Sequence, residues 1–117
     1  MKAKTVVIDI LSDEWKVIVC WGDSAYITKV LRKWQYDISQ EEINEHLTDL
    51  SGVTFRGHRK HPVIALPRRP RTDEEIGVLA HEATHAVKQI FRDIKEDDGE
   101  EVFALSVGAV VRKTLSV

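Results

Sequence analysis

Residues 72–95 carry the pattern that most restricts the fold. Thr72-Asp73-Glu74-Glu75 has the spacing of a capping box, and Pro70 just before it marks the end of a loop. The spacing predicts a helix from there to about Lys95. Its apolar residues are Ile76, Leu79, Ala80, Ala83, Val87, Ile90, Phe91 and Ile94. At about 100° per residue they fall within roughly 50° of one line, which is a core-facing stripe. A chain built around such a helix needs another layer to receive the stripe.

The residues before it supply that layer. Thr5–Leu11 (TVVIDIL) and Trp15–Trp21 (WKVIVCW) are β-branched and apolar and read as strands, with Ser12-Asp13-Glu14 as the turn between them. Asp23 or Ser24 caps a helix expected to reach about Tyr36. Ser39-Gln40-Glu41-Glu42 opens a second, to about Leu50. Short strands are expected at Val53–Arg56 and Val63–Leu66, the latter stopped by Pro67. After Asp97-Asp98-Gly99, a last helix over Glu100–Leu115 is apolar nearly all round through Val102–Val111, which predicts burial between layers. The expected architecture is a small single α+β domain over residues 1–117. Its N-terminal strands and short helices form a mixed or antiparallel sheet, packed on the long helix and a buried C-terminal helix.

On the long helix, His81-Glu82-Ala83-Thr84-His85 places two histidines about 140° and 180° from the core stripe. They share the solvent face one turn apart, so both imidazoles can converge on one point. Zinc needs that convergence from two nitrogens at about 2 Å. Glu82 projects beside the pair, where it can serve a water without being a ligand, which is the mechanical content of H-E-x-x-H. The competing interpretation is a solvated face with two incidental histidines. Three protein ligands plus water are usual for catalytic zinc. Asp97, Asp98, Glu100 and Glu101 are the acids a returning helix could offer. Acids in a first turn also serve capping and the helix dipole. Gly108 on the stripe of Glu101 would permit close approach of the two helices.

His81–His85 followed by Glu101-Val102-Phe103-Ala104-Leu105-Ser106-Val107-Gly108 resembles the zincin metallopeptidases of the gluzincin type. It is similar in particular to short zincin-like proteins of tailed bacteriophages, although Leu105 stands where that pattern often has tyrosine. The resemblance covers about residues 60–112. It implies a zincin-like fold, Zn2+ as cofactor, His81 and His85 as ligands, Glu101 ahead of Glu100 as third ligand, and Glu82 as general base. It further implies that His61, Val63, Ile64 and Ala65 form an edge strand that binds an extended peptide or protein substrate. The residues alone leave open that Val63–Leu66 is a core strand. Among possible oxyanion donors, Tyr26, Tyr36, His58, His61 and the arginines are not distinguished.

Composition bounds the alternatives. A net charge of −2 argues against nucleic-acid binding by the whole surface. The exception is Arg56–Arg71, with six Lys/Arg, two histidines and no acid. It is expected to be solubilising charge on a hairpin and loop rather than a nucleic-acid patch. The lone Cys20 fits a reducing compartment, and no apolar run reaches the roughly 20 residues a membrane span needs. A soluble cytoplasmic protein is expected, in the host cytoplasm if phage-encoded. Two functions follow: a minimal zinc-dependent metallopeptidase, or an inactive zincin-fold binding or accessory module with structural zinc, in phage assembly or beside nucleic acid.

Overall fold

A computed structural model describes residues 2–49, 52–94 and 99–117. Among these, four helices and a four-stranded mixed sheet form a small α+β domain. The two N-terminal apolar runs pair as an antiparallel hairpin, β1 (Lys4–Ile10) and β2 (Ser12–Trp21). Its turn is tighter than the polar triplet suggested. Leu11 alone makes it, at φ 68°, with a register shift between Asp9 and Ile10. Ser12–Glu14 therefore belong to β2. The irregularity lets Ile8 and Ile10 stay buried beside Val17 and Val19 in one core.

α1 (Ser24–Lys33) starts at Asp23, whose carboxylate accepts from the Tyr26 backbone N–H at 2.8 Å. It stops short of Tyr36 because Gln35 adopts φ 72° and the Tyr36 N–H turns back to the Leu31 carbonyl at 2.8 Å. That is a Schellman ending on a non-glycine residue. α2 (Gln40–Asp49) is capped by the Ser39 hydroxyl, which accepts from the Glu42 N–H; the expected end at Leu50 lies outside the described residues.

β3 (Val53–Phe55) and β4 (Val63–Leu66) complete the sheet in the order β1-β2-β4-β3. β2 and β4 are parallel, with Ile18 opposite Val63, and β4 and β3 are antiparallel, with Thr54 opposite Ile64. This overturns the expectation that His61–Ala65 forms an edge strand. β4 is internal, and Val63, Ile64 and Ala65 are fully buried. A continuous apolar run flanked by strands on both sides has no backbone left to offer a peptide. The edge on that side is β3.

Side-chain parity then divides the core. Val17, Val19, Trp21, Ile64 and Leu66 meet α3 (Asp73–Asp93) and α4 (Gly99–Leu115) on one face. Ile18, Cys20, Val63 and Ala65 meet Ile27, Leu31, Tyr36 and Ile43 from the α1/α2 region on the other. Burying each of these large aliphatic side chains is worth about 1.5–3 kcal/mol. The Cys20 thiol, packed in the second cluster, is pushed up to about 12 by burial.

The capping box of α3 is reciprocal: Thr72 accepts from the Glu75 N–H, and the Glu75 carboxylate accepts from the Thr72 N–H, both at 3.1 Å. The predicted end at Lys95 falls outside the described residues. α4 differs from expectation. Only Ser106, Val110 and Thr114 are buried, and Leu105 is 64% exposed. α3 and α4 together already cover this face of the sheet, so no further layer remains to enclose α4. A Cβ at Gly108 would meet nothing within 4 Å, so no close helix approach occurs there. No helix among the described residues is long and apolar enough to cross a membrane.

Candidate metal centre

α3 lies with Leu79, Ala83, Ala86, Val87 and Ile90 in the core, which turns His81 and His85 away from it, as the helical wheel requires. The His81 side chain is 69% exposed. The two Nε2 atoms stand 3.2 Å apart, with the rings nearly perpendicular and their centroids separated by 4.7 Å. Two nitrogens at 2.0–2.1 Å from one tetrahedral zinc would be about 3.3–3.4 Å apart. The separation matches two vertices of such an ion, and it equally matches a hydrogen bond from one Nε2–H to the other Nε2.

Glu82 is held on the flank. Its carboxylate Oε1 accepts from the Thr54 hydroxyl at 2.7 Å, and that hydroxyl also lies 3.1 Å from the Glu82 backbone carbonyl. The other carboxylate oxygen, Oε2, is 3.9 Å from His81 Nε2. Thr54 can do this because Val53 and Phe55 point to the α1/α2 core, leaving the residue between them facing α3. The Glu82 side chain is only 12% exposed. A largely buried glutamate thus has one oxygen fixed and the other 3.9 Å from the His81 imidazole. Thr54 went unrecognised in the sequence; the only signal was strand parity, and that needed β3 to be placed beside α3.

The expected third ligand does not arrive. Among the described residues no group of three or more His, Cys, Asp or Glu side chains is disposed to hold a metal. Phe91 packs edge-on against Phe103, ring centroids 5.6 Å apart, and this fixes where α4 doubles back on α3. At 1.5 Å per residue, His85 lies about 9 Å up α3 from that contact, while Glu101 lies about 3 Å to its other side. Glu101 is exposed and roughly 12 Å along the axis from the nearer histidine. Glu100 is exposed one residue further toward the loop. Asp97 and Asp98 lie outside the described residues.

The other residues singled out in the sequence have separate roles. His61 Nδ1 accepts from the Lys16 N–H at 3.2 Å, and its ring meets Trp34 edge-on. Its pKa is lowered by burial first and by the Lys16 charge second. The Tyr36 hydroxyl donates to the His61 carbonyl at 2.9 Å, with burial and Asp93 pushing its pKa up to about 12. Tyr26 shares a 2.6 Å hydrogen bond with Thr5. Both tyrosines pack with the α1/α2 core, across the sheet from the histidine pair. His58 is exposed, 3.5 Å from Asp93.

The basic stretch is not one patch. β4 divides it, separating its two parts by about 13 Å of strand. Before the strand, the Arg59 N–H donates to buried Asp93, and Lys60 reaches the Gln35 carbonyl and lies over the Tyr36 ring. After it, Arg68, Arg69 and Arg71 gather near the start of α3. The tryptophans do not form a stacking set: Trp21 is buried, and Trp15 and Trp34 pack against opposite cores.

No family model, curated protein or solved structure matches this chain.

Proposed function

We propose that the chain is a small zinc-dependent hydrolase of the metallopeptidase kind, with His81 and His85 as metal ligands and Glu82 as general base. The observation that carries this reading is the 3.2 Å separation of two Nε2 atoms on one helix face, with a carboxylate oxygen 3.9 Å from one of them. Glu82 is oriented by a hydroxyl from the neighbouring strand, an arrangement that an incidental surface pair does not require.

When bound, zinc supplies Lewis acidity that lowers the pKa of water and polarises a carbonyl. The chain's own residues supply the rest. His81 and His85 would offer the ion their Nε2 lone pairs. Glu82 accepts the proton of the attacking water at Oε2, because Oε1 is engaged by Thr54, and then delivers it to the leaving amine. β3, the edge strand beside Glu82, is short and antiparallel to β4, and its outer side has no strand partner among the described residues. An extended peptide added there would run along the strand whose Thr54 holds Glu82. The edge-strand role thereby passes from β4 to β3.

The second reading is a zincin-like binding module that holds zinc without turnover. With Glu101 displaced, two protein ligands are described, against three for a usual catalytic zinc and four for a structural one, so neither reading has its full ligand set among the described residues. Zinc titration and an unbiased peptide library separate the two. Stoichiometric zinc uptake lost in His81→Ala, with cleavage lost in Glu82→Gln while zinc is retained, supports the hydrolase. Zinc uptake without cleavage selects the module. Zinc uptake no weaker in His81→Ala than in the wild type removes both.

A further inference from the structure

A second site lies away from the histidine pair, at the carboxyl ends of the parallel strands β2 and β4. A cleft of about 390 Å³ is lined there by Lys2, Lys4, Arg68, Arg69 and Arg71, with Trp21 and Val117 among its remaining walls. Its volume falls in the range of small-molecule pockets, about 300–1,000 Å³. Glu75 is the only acidic side chain in the wall, and it is already engaged by the Arg68 guanidinium and by the backbone N–H groups of Arg71 and Thr72. Among the described residues, Lys2, Lys4, Arg69 and Arg71 form no ion pair. Five basic side chains against one acidic leave the cleft wall a surplus of four positive charges. The whole chain has the opposite sign, −2.

We propose that this cleft binds a small polyphosphate, a ligand carrying two or more linked phosphoryl groups. Cations crowded into a concave wall repel one another and focus a positive potential that a compact polyanion relieves. Arginine forks match phosphoryl oxygens bidentately, and lysines supply point charges at the rim. Recognition must come from these side chains. The first turn of α3 carries Asp73, Glu74 and Glu75, so its dipole is already answered by carboxylates. A nucleic-acid strand is the poorer fit. It needs a cationic track, whereas the remaining basic residues of this stretch sit about 13 Å away at the other end of β4, where the Lys60 ammonium is tied to the Gln35 carbonyl and the Tyr36 ring.

The test is calorimetric titration of the full chain with inorganic tripolyphosphate, orthophosphate and a 12-nucleotide single-stranded DNA at low and at physiological salt. Tripolyphosphate is expected to bind with one site, more tightly than orthophosphate and the DNA, and to weaken with salt. Arg69→Ala/Arg71→Ala, at exposed positions that leave the core intact, should lower its affinity at least about tenfold. Lys29→Ala, an exposed lysine of α1 outside the cleft wall, should leave it unchanged. No tripolyphosphate binding at low salt overturns the proposal. So does equal weakening by Lys29→Ala, which signals nonspecific charge, or tighter binding of the DNA, which assigns another partner class. None of these outcomes depends on zinc or on hydrolysis.

Discussion

Thr54→Val is the substitution that most directly probes how the candidate base is held. Valine keeps the shape of threonine and its strand preference, and replaces the hydroxyl with a methyl. The lost contact is the 2.7 Å hydrogen bond to Glu82 Oε1. Bonds to charged groups contribute about 1.5–3 kcal/mol, and the acceptor here belongs to a side chain only 12% exposed. Little water can replace the lost donor. The gain from one buried methyl offsets up to about 0.8 kcal/mol of this. The expected net destabilisation is therefore about 1–2 kcal/mol. With a urea m-value of about 2 kcal/mol/M, the middle of the range for small domains, the midpoint should fall by roughly 0.5–1 M. Thr54→Ser should retain most of the stability. The cycle with Glu82→Gln isolates the pair: an amide accepts more weakly than a carboxylate, so Thr54→Val should cost less in that background. Equal cost in the two backgrounds, or less than about 0.3 kcal/mol in the wild type, would refute the claim that Thr54 fixes Glu82. For a chain that hydrolyses peptides, the same substitution should lower kcat more than it raises KM, because the hydroxyl acts through Glu82.

Glu101→Ala should leave zinc affinity within about twofold of wild type, whereas His85→Ala should abolish stoichiometric uptake, as read by competition with a chromogenic chelator. Asp93→Ala should destabilise by about 2–3 kcal/mol in chemical denaturation, because the carboxylate accepts from the Arg59 N–H at 3.1 Å and from Gln89 at 3.0 Å in a side chain 2% exposed. Stability should also fall on mild acidification. The folded-state pKa of His61 lies below its ordinary 6.5, so the unfolded chain takes up this proton first. The contribution is complete above about pH 6.5 and is lost as pH falls toward the depressed value. His61→Gln, measured by urea midpoint across pH 5–8, should flatten that dependence.

The helices were legible where local chemistry specifies them. The capping box at Thr72 and the period of the apolar stripe fixed α3, and with it the outward placement of His81 and His85, because a side chain's direction on a helix depends only on its number. Strand content was legible in the same way, through β-branched runs at β1, β2 and β4. Strand order was not. β4 lies inside the sheet and β3 at its edge because β4 pairs in parallel with β2 across a crossover of two helices, a contact between residues more than 40 positions apart. Thr54 reached Glu82 only through that ordering. Glu101 was misplaced for a related reason. The pattern E-x-F-A supplied residue types, but the register of α4 on α3 was decided by Phe103 packing on Phe91, which holds the acid about two turns from the nearer histidine. The basic run shows the same limit. Its charge was evident from composition, while its division into two separated halves, one of them lining the cleft, arose when β4 was buried through its middle. By itself, the order of residues determined which segments are helix or strand and which face of α3 carries the imidazoles. Tertiary packing alone decided which side chains from distant segments meet there, because those meetings follow from core complementarity rather than from spacing along the chain.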